Sequence, residues 1–255
     1  MVSRLKPYMD IITPFQNAFV QGRNITDNIL IAHEIFDILK RKKGRKKGFG
    51  VLKVDMCKAY DRVSWKFLKA VLLTMNFSRY WVNLIMECVS TVQFSILVNG
   101  CPTKSFKPSR GLRQGDPISL YLFLFCANIL SLALSKEEEM GKIKGIKVGR
   151  SGVSFTHLLL LMIPCSSFKM KKDSILHRKN TIQWYCSILG LSINFNKLEL
   201  FCSPNIPQTD QESLAISLQV NLVQYPNKYL GMNFKLRGRR VADFQDVIDR
   251  VQNKL

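Results

Sequence analysis

Residues 50–65, GVLKVDMCKAYDRVSW, decide the fold that this sequence predicts. The first residues are apolar and typical of a short buried strand, and a turn and a helix opening near Lys58 follow. Asp55 therefore lies at the carboxyl end of an apolar strand, where a carboxylate is costly unless it is paired or binds a metal ion. The alternative is a helix N-cap, because a carboxylate before a helix accepts backbone N–H bonds. The spacing alone leaves both roles open.

A second informative stretch is RGLRQGDPISLYLFLF, residues 110–125. Gly111, Gly115 and Pro117 fix a tight turn, and a long apolar helix is expected after it. The apolar run over residues 120–134, LYLFLFCANILSLAL, is shorter than the roughly 18–20 residues that cross a bilayer. It therefore favours a buried core helix over a membrane span.

KVDMCKAYDRVSW followed by GLRQGDPISLYLF resembles the palm motifs of reverse transcriptases, most closely those of plant LINE-type (non-LTR) retrotransposons. RLKPYMDIITPFQNAFVQGRNITDNILIAHE, INFNKLELF and KYLGMNF resemble further blocks of the same family in the same order. The resemblance implies an α+β fold, a right-hand polymerase palm and fingers whose antiparallel palm sheet packs on helices. It implies a fingers and palm domain over residues 1–235 and the start of a truncated thumb or connection helix over residues 236–255.

The resemblance also implies roles for single residues. Tyr60 matches the position whose ring selects deoxynucleotides, although from the residues alone a core aromatic is an equal alternative. Gln114 and Gly115 match the loop beside the incoming nucleotide, and Arg113 is a candidate contact for a phosphate or the template. Lys197 matches the lysine proposed to protonate the leaving pyrophosphate, a general-acid role. Without the resemblance, Lys197 would be interpreted as an exposed lysine.

The metal site is where this sequence departs from the family. Nucleotide addition uses two divalent ions, Mg²⁺ in this family, which need oxygen ligands from two segments. By resemblance Asp55 is the first ligand, and a later hairpin supplies paired aspartates. Here that hairpin reads FTHLLLLMIPCSSFK, and the aspartate positions fall on Met162 and Ile163, which offer no ligand to Mg²⁺. Metal binding is therefore expected to be lost or weak and the domain to be a catalytically inactive, degenerate copy.

Two alternatives to an inactive polymerase domain stay open: a non-catalytic nucleic-acid-binding remnant, and the product of a degenerate open reading frame with no molecular function. The net charge of the chain is relevant to the first of these alternatives. The 38 basic and 18 acidic residues give a formal charge of +20, which indicates a polyanionic partner, either nucleic acid or an anionic membrane. The resemblance favours an RNA template, an RNA/DNA primer–template hybrid and dNTP over a membrane, and leaves the oligomeric state open.

The most basic segment is KRKKGRKK, residues 40–47. Such a run is typical of a solvated loop, and contact with a phosphate backbone is the functional alternative. The candidate contacts are Lys40, Arg41, Lys42, Lys43, Arg45, Lys46 and Lys47.

The seven cysteines show no CxxC spacing, and no signal peptide is recognisable at the amino terminus. The expectation is therefore an intracellular protein of the nucleus or cytoplasm with reduced thiols.

Four further elements are predicted from local patterns. A helix is expected to enter at residues 24–27 and continue to Leu39. Residues 92–99 alternate like a half-buried strand, and the following Asn99–Gly100 pair indicates a hairpin. Residues 192–201 are expected to form a strand pair, and residues 203–211 a loop followed by another strand.

Overall fold

The computed structural model describes residues 1–41, 48–149, 152–159, 165–169, 172–224, 228–229, 232–233 and 252. The helices are α1 (Val2–Leu5), α2 (Ile25–Arg41), α3 (Ala59–Arg62), α4 (Trp65–Thr74), α5 (Arg79–Ser90), α6 (Pro117–Glu139), α7 (Lys172–Leu189) and α8 (Gln208–Leu218), with 3₁₀ turns at Lys6–Ile11 and Phe195–Lys197. The strands are β1 (Phe49–Lys53), β2 (Met56–Cys57), β3 (Leu97–Val98), β4 (Cys101–Pro102), β5 (Ile146–Val148), β6 (Val153–Phe155), β7 (His157–Leu158), β8 (Cys165–Lys169), β9 (Ser192–Ile193), β10 (Glu199–Cys202), β11 (Asn221–Leu222), β12 (Lys228–Tyr229) and β13 (Met232–Asn233).

A five-stranded sheet with the order β11-β10-β1-β8-β7 organises the fold. β1 lies at its centre and runs antiparallel to both neighbours, with Lys53 opposite Glu199 in β10 and opposite Cys165 in β8. Val51 and Leu52 point to opposite faces, and both are buried in separate hydrophobic clusters. Helices cover both faces, so the predicted sheet packed on helices is confirmed, and its pairings are antiparallel except at the edge, where β11 runs parallel to β10.

α6 is the central helix of the larger hydrophobic cluster. It begins at Pro117, and the carboxylate of Asp116 accepts the backbone N–H of Ile118 at 3.1 Å, so Asp116 caps the helix. Every residue from 122 to 128 is buried, so this part of the helix is enclosed on all sides. By length and composition α6 is long enough to span a membrane, but 61% of its most apolar stretch is buried inside the fold. The predicted core helix is confirmed.

α2 packs on the opposite face of the sheet. It begins at Ile25, as the entry signal predicts, and its buried residues contact Val51 and Phe201 of the sheet. The rings of Phe36 and Phe201 lie 5.3 Å apart in an edge-to-face arrangement. These buried residues of α2 are Asn28, Ala32, Ile35, Phe36 and Leu39.

The N-cap alternative for Asp55 is wrong. α3 begins after Lys58, which occupies the cap position in the left-handed conformation with φ +45°. Asp55 lies three residues too early for its carboxylate to reach the first backbone N–H groups of that helix. The role of this carboxylate must therefore come from its contacts with other segments.

The predicted hairpin at Asn99–Gly100 is confirmed, but the strand before it is not half-buried as predicted. Both turn residues have positive φ, +49° and +82°, as a two-residue hairpin turn requires. Leu97 and Val98 are 71% and 54% exposed. The expectation of a half-buried strand over residues 92–99 was wrong because this hairpin projects into solvent.

The strand expected after residues 203–211 is preceded by a helix that the sequence analysis missed. α8 occupies Gln208–Leu218, and its buried residues are Ala215 and Leu218. The strand pair expected over residues 192–201 is present as β9 and β10, although β9 pairs with β2 and β10 pairs with β1.

Candidate active site

The side chain of Asp55 contacts the side chain of Lys197. Lys197 Nζ lies 3.3 Å from Asp55 Oδ2, with the lysine side chain 68% exposed and the aspartate side chain 21% exposed. The backbone N–H of Asn194 donates to the carbonyl oxygen of Asp55 at 2.9 Å. Because β9 pairs with β2, the segment that carries Lys197 is held beside Asp55. The structure therefore brings together two of the residues that the sequence selected.

The loop of residues 111–116 is fastened to the turn after Asp55, and it is called the nucleotide loop here because the resemblance predicts that it lies beside an incoming nucleotide. The N–H of Gly111 donates to the carbonyl of Val63 at 2.8 Å, and the indole N–H of Trp65 donates to the carbonyl of Gly111 at 2.7 Å. A Cβ atom at Gly111 would lie 2.6 Å from the carbonyl oxygen of Asp61, and φ is +96°. Only glycine fits this close approach of two backbones.

Tyr60 is joined to the same loop. Its backbone carbonyl accepts the N–H of Leu112 at 2.8 Å. Its half-buried ring stacks on Phe123 of α6, with centroids 4.6 Å apart and planes 16° from parallel. Burial raises the pKa of the Tyr60 phenol, which therefore stays neutral at physiological pH. The ring packs on the larger hydrophobic cluster, as the core alternative predicts, and the selection of deoxynucleotides by Tyr60 stays a prediction.

Arg113, Gln114 and Gly115 form the exposed part of the nucleotide loop. Gly115 has φ +89°, and a Cβ atom there would meet nothing within 4 Å. Arg113 Nη2 lies 3.4 Å from Asp116 Oδ2, in an ion pair that is largely solvent-exposed on the arginine side. The side chains of Arg113 and Gln114 are therefore accessible to a ligand, although Arg113 also pairs with Asp116, the cap residue of α6.

A cleft of about 510 Å³ lies next to the nucleotide loop. Two guanidinium groups, an amide and a carboxylate supply its polar side chains, from Arg110, Arg113, Gln114 and Asp61, and Phe94 and Phe106 supply aromatic surface. Guanidinium groups suit phosphate oxygens, and exposed rings suit planar bases, so the cleft has the chemistry of a nucleotide or single-strand site. The other lining residues are Val89, Val92, Pro108, Gly111 and Leu112.

The hairpin expected to supply the partner ligands of Asp55 is formed by β7 and β8. Cys165, the first residue of β8, pairs with Lys53, two residues before Asp55. Cys165 and its partner Leu158 in β7 therefore lie at the end of the sheet that is closest to Asp55. Met162 and Ile163 lie outside the described residues.

The basic segment is described only at its start. Lys40 and Arg41 end α2, and Arg41 Nη2 lies 3.8 Å from Asp37 Oδ2 in an exposed pair. Such a pair contributes little to stability. Lys42, Lys43, Arg45, Lys46 and Lys47 lie outside the described residues.

Comparison with known proteins decides the family. The family model described as reverse transcriptase (RNA-dependent DNA polymerase) matches residues 1–234. The chain belongs to the reverse transcriptase family.

Relatives of this reverse transcriptase domain include the Pol polyprotein of the type-2 retrotransposable element R2DM of Drosophila melanogaster, 24% identical over 248 residues, which are 94% of this chain and 22% of that protein. An uncharacterized mitochondrial protein of Arabidopsis thaliana is 44% identical over 63 residues, 25% of this chain and 52% of that protein. The predicted reverse transcriptase domain of the non-LTR type is confirmed.

The fold of the domain is similar to that of telomerase from Candida tropicalis, with a TM-score of 0.57 at 12% identity over 80% of this chain and 34% of that one. Telomerase from Candida albicans gives a TM-score of 0.53 at 14% identity over 82% and 33%. At these identities the likeness shows the fold, and it confirms the predicted reverse-transcriptase-like α+β class. The chain spans about half or less of the length of each of these proteins.

Among the residues that the structure describes, those around Asp55 do not supply the ligands of the divalent metal that reverse transcriptases use. Within the described ranges, no group of three or more His, Cys, Asp or Glu side chains is arranged to hold a metal ion. The carboxylate of Asp55 instead contacts the ammonium of Lys197. A cation at this carboxylate would meet a like charge, and Mg²⁺ needs several oxygen ligands.

Sequence reasoning missed a second ion pair in this reverse transcriptase domain. Lys53 Nζ lies 3.1 Å from Glu199 Oε2, with both side chains less than one-fifth exposed, at 18% and 16%. The signal was present in the sequence, because Lys53 precedes Asp55 by two residues and Lys197 precedes Glu199 by two. Antiparallel pairing of these two segments matches each charge with its opposite.

A buried polar cluster around His157 was also missed. Its ring nitrogens lie 2.6 Å from Ser131 Oγ and 2.8 Å from Thr156 Oγ1, and the ring contacts Phe15 with centroids 4.4 Å apart. Burial and the nearby guanidinium of Arg178 lower the pKa of His157 to about 3. This histidine is therefore neutral in the folded protein and joins α6 to the hairpin of β7 and β8.

Proposed function

We propose that this reverse transcriptase domain binds nucleic acid without catalysing nucleotide addition. The contact between Asp55 and Lys197, at 3.3 Å, carries the proposal. The reaction requires two divalent ions held by oxygen ligands from two segments. In this sequence Met162 and Ile163 stand at the expected aspartate positions, and neither offers an oxygen.

The remaining site residues keep the chemical types that the reaction uses. In the proposal, Tyr60 borders the sugar of an incoming dNTP, and Gln114 and Gly115 form the loop beside that nucleotide. Arg113 contacts a phosphate or the template. Lys197 is the candidate general acid of the family, and its ion pair with Asp55 competes with that role. The site therefore retains groups for binding and lacks the charge for metal-dependent chemistry.

The proposed partners are an RNA template and an RNA/DNA primer–template hybrid. The formal charge of +20 supports this, because a polyanion gains affinity from each phosphate that a lysine or arginine neutralises. We also propose that residues 1–235 form the fingers and palm unit, that residues 236–255 begin a thumb or connection helix, and that the protein acts in the nucleus or cytoplasm. The resemblance to plant LINE-type elements supports a degenerate copy of such an element.

Primer extension tests the absence of catalysis. The purified chain with template–primer, dNTP and Mg²⁺ or Mn²⁺ should give no extension, and Met162→Asp with Ile163→Asp should recover metal binding at most. An active reverse transcriptase assayed in parallel shows that the conditions support synthesis. Template-dependent incorporation by the unmodified chain that is abolished by Asp55→Ala would refute the proposal.

Salt-dependent binding tests the retained function. Fluorescence anisotropy with a labelled hybrid should show affinity falling steeply between about 50 and 200 mM salt, with little sequence preference. Lys42→Gln with Lys43→Gln should reduce the slope of log affinity against log salt by up to about 2, whereas Lys66→Gln with Lys69→Gln on α4 is the matched control. A flat salt dependence would favour the alternative, a degenerate product with no nucleic-acid function.

A further inference from the structure

We infer that Lys53, Asp55, Lys197 and Glu199 form a self-neutralised ion-pair ladder that takes the place of a divalent cation at Asp55. The inner pair, Lys53 with Glu199, is 3.1 Å long and mostly shielded from solvent. The outer pair, Lys197 with Asp55, is 3.3 Å long and lies at the end of the sheet. Each carboxylate of the ladder thus has its own ammonium group.

The strand register fixes the ladder. Lys53 and Glu199 are direct partners in the antiparallel pairing of β1 and β10. Asp55 lies two residues beyond the end of β1, and Lys197 lies in the 3₁₀ turn two residues before β10, so the outer pair continues the register of the two strands past their ends. The N–H of Lys197 donates to the carbonyl of Asn194 at 3.0 Å, which closes the turn that presents the lysine to Asp55.

The charges of the ladder oppose metal binding. Two ammonium groups and two carboxylates sum to zero, so these four side chains together have no net negative charge to attract a divalent ion. An ion bound at the carboxylate of Asp55 would lie within a few ångströms of the ammonium of Lys197. Because Lys197 is 68% exposed, water screens this repulsion, and Coulomb's law with the dielectric constant of water gives a loss of about tenfold in affinity.

This inference rests on the proposed absence of metal-dependent catalysis, but it makes a separate claim. Lys197 supplies the positive charge that stabilises the carboxylate of Asp55. The fold would then require no divalent ion to stabilise this carboxylate. Removing one partner would leave an uncompensated charge at the end of the sheet.

Titration with Mn²⁺, with free Mn²⁺ measured by electron paramagnetic resonance, tests the ladder on the full chain. Lys197→Met should bind Mn²⁺ about tenfold more tightly than the unmodified chain, and adding Asp55→Asn should remove the gain. Lys69→Met deletes an exposed lysine of α4 and is the matched control, because it changes the net charge equally. Lys197→Arg keeps the positive charge and should leave the weak affinity unchanged.

Equal Mn²⁺ affinity for Lys197→Met and the unmodified chain would overturn the ladder, as would an equal gain in Lys69→Met. If Lys197→Met fails to fold, Lys197→Gln and the exchange of charges in Asp55→Lys with Lys197→Asp provide the comparison. The exchanged pair should unfold at the same denaturant concentration as the unmodified chain, and Asp55→Lys alone should unfold earlier. Primer extension by the unmodified chain would refute the proposed function, whereas the Mn²⁺ titration decides the ladder.

Discussion

Gly111→Ala should weaken the attachment of the nucleotide loop to the turn that follows Asp55. The new Cβ atom would lie 2.6 Å from the carbonyl oxygen of Asp61, and the neighbouring atoms of that peptide are backbone atoms that cannot rotate away. Alanine would also have to adopt a φ of +96°. The substitution therefore combines backbone strain with a steric clash.

The two costs can be separated by a second glycine of the same loop. Left-handed backbone strain costs alanine about 1–2 kcal/mol, and overpacking costs about 1–3 kcal/mol. Gly115 also has positive φ, +89°, but a Cβ atom there meets nothing within 4 Å. Gly115→Ala should therefore show the strain alone, and Gly111→Ala should be less stable than Gly115→Ala by about 2 kcal/mol.

Urea unfolding followed by far-UV circular dichroism measures both variants against the unmodified chain. For a chain of this length, the expected difference of about 2 kcal/mol corresponds to about 4–8 °C in Tm, so thermal unfolding provides a second measure. Equal stability of the two variants would refute the close approach of Gly111 to Asp61 and the fastening of the loop that depends on it.

Three further predictions concern single side chains. The free energy of unfolding should fall by about 1.4 kcal/mol between pH 7.5 and 5.5, because the unfolded chain protonates His157 near pH 6.5 whereas burial holds its folded pKa at about 3. Urea unfolding at both pH values measures this loss, and the same loss in His157→Gln would contradict the assignment to His157. Trp65→Phe removes the indole hydrogen bond to Gly111 and should lower the free energy of unfolding by about 1 kcal/mol in urea. Asp116→Ala should cost a similar amount, about 1 kcal/mol, in the same assay, with Asp116→Asn as the control that retains a cap.

Local patterns were sufficient for the longest helices. α2 follows an entry signal with apolar residues at helical spacing, and α6 follows a capping aspartate and a proline. In each case the information lies within one segment, so the sequence alone predicts the element.

α8 was missed because its pattern is weak. It buries two residues, Ala215 and Leu218, and its remaining positions do not form an apolar stripe. The hairpin of β3 and β4 was located correctly, but its alternating pattern was misread as burial, since Leu97 and Val98 face solvent. Alternation predicts which residues share a face of a strand, but it does not show that another layer covers that face.

The candidate site depends on distant pairings. The contact between Asp55 and Lys197 requires the register of β1 against β10, and local spacing leaves that register open. The resemblance to a family selected both residues without predicting that they form an ion pair. Charge complementarity between the two segments is the signal that predicts the pairing, since Lys53 and Glu199 continue it.

The central position of β1 also constrains how the chain folds during synthesis. Lys53 and its partner Glu199 are 146 residues apart, so β1 leaves the ribosome long before β10 exists. At about 5–20 residues per second, the wait is about 7–30 s. In the last part of that interval, between synthesis of Glu139 and of Glu199, the apolar α6 is already made, while the strands and helices that enclose it are incomplete. Nascent chains of this domain should therefore depend on chaperones that shield residues 117–139, and faster translation should raise the yield of soluble protein.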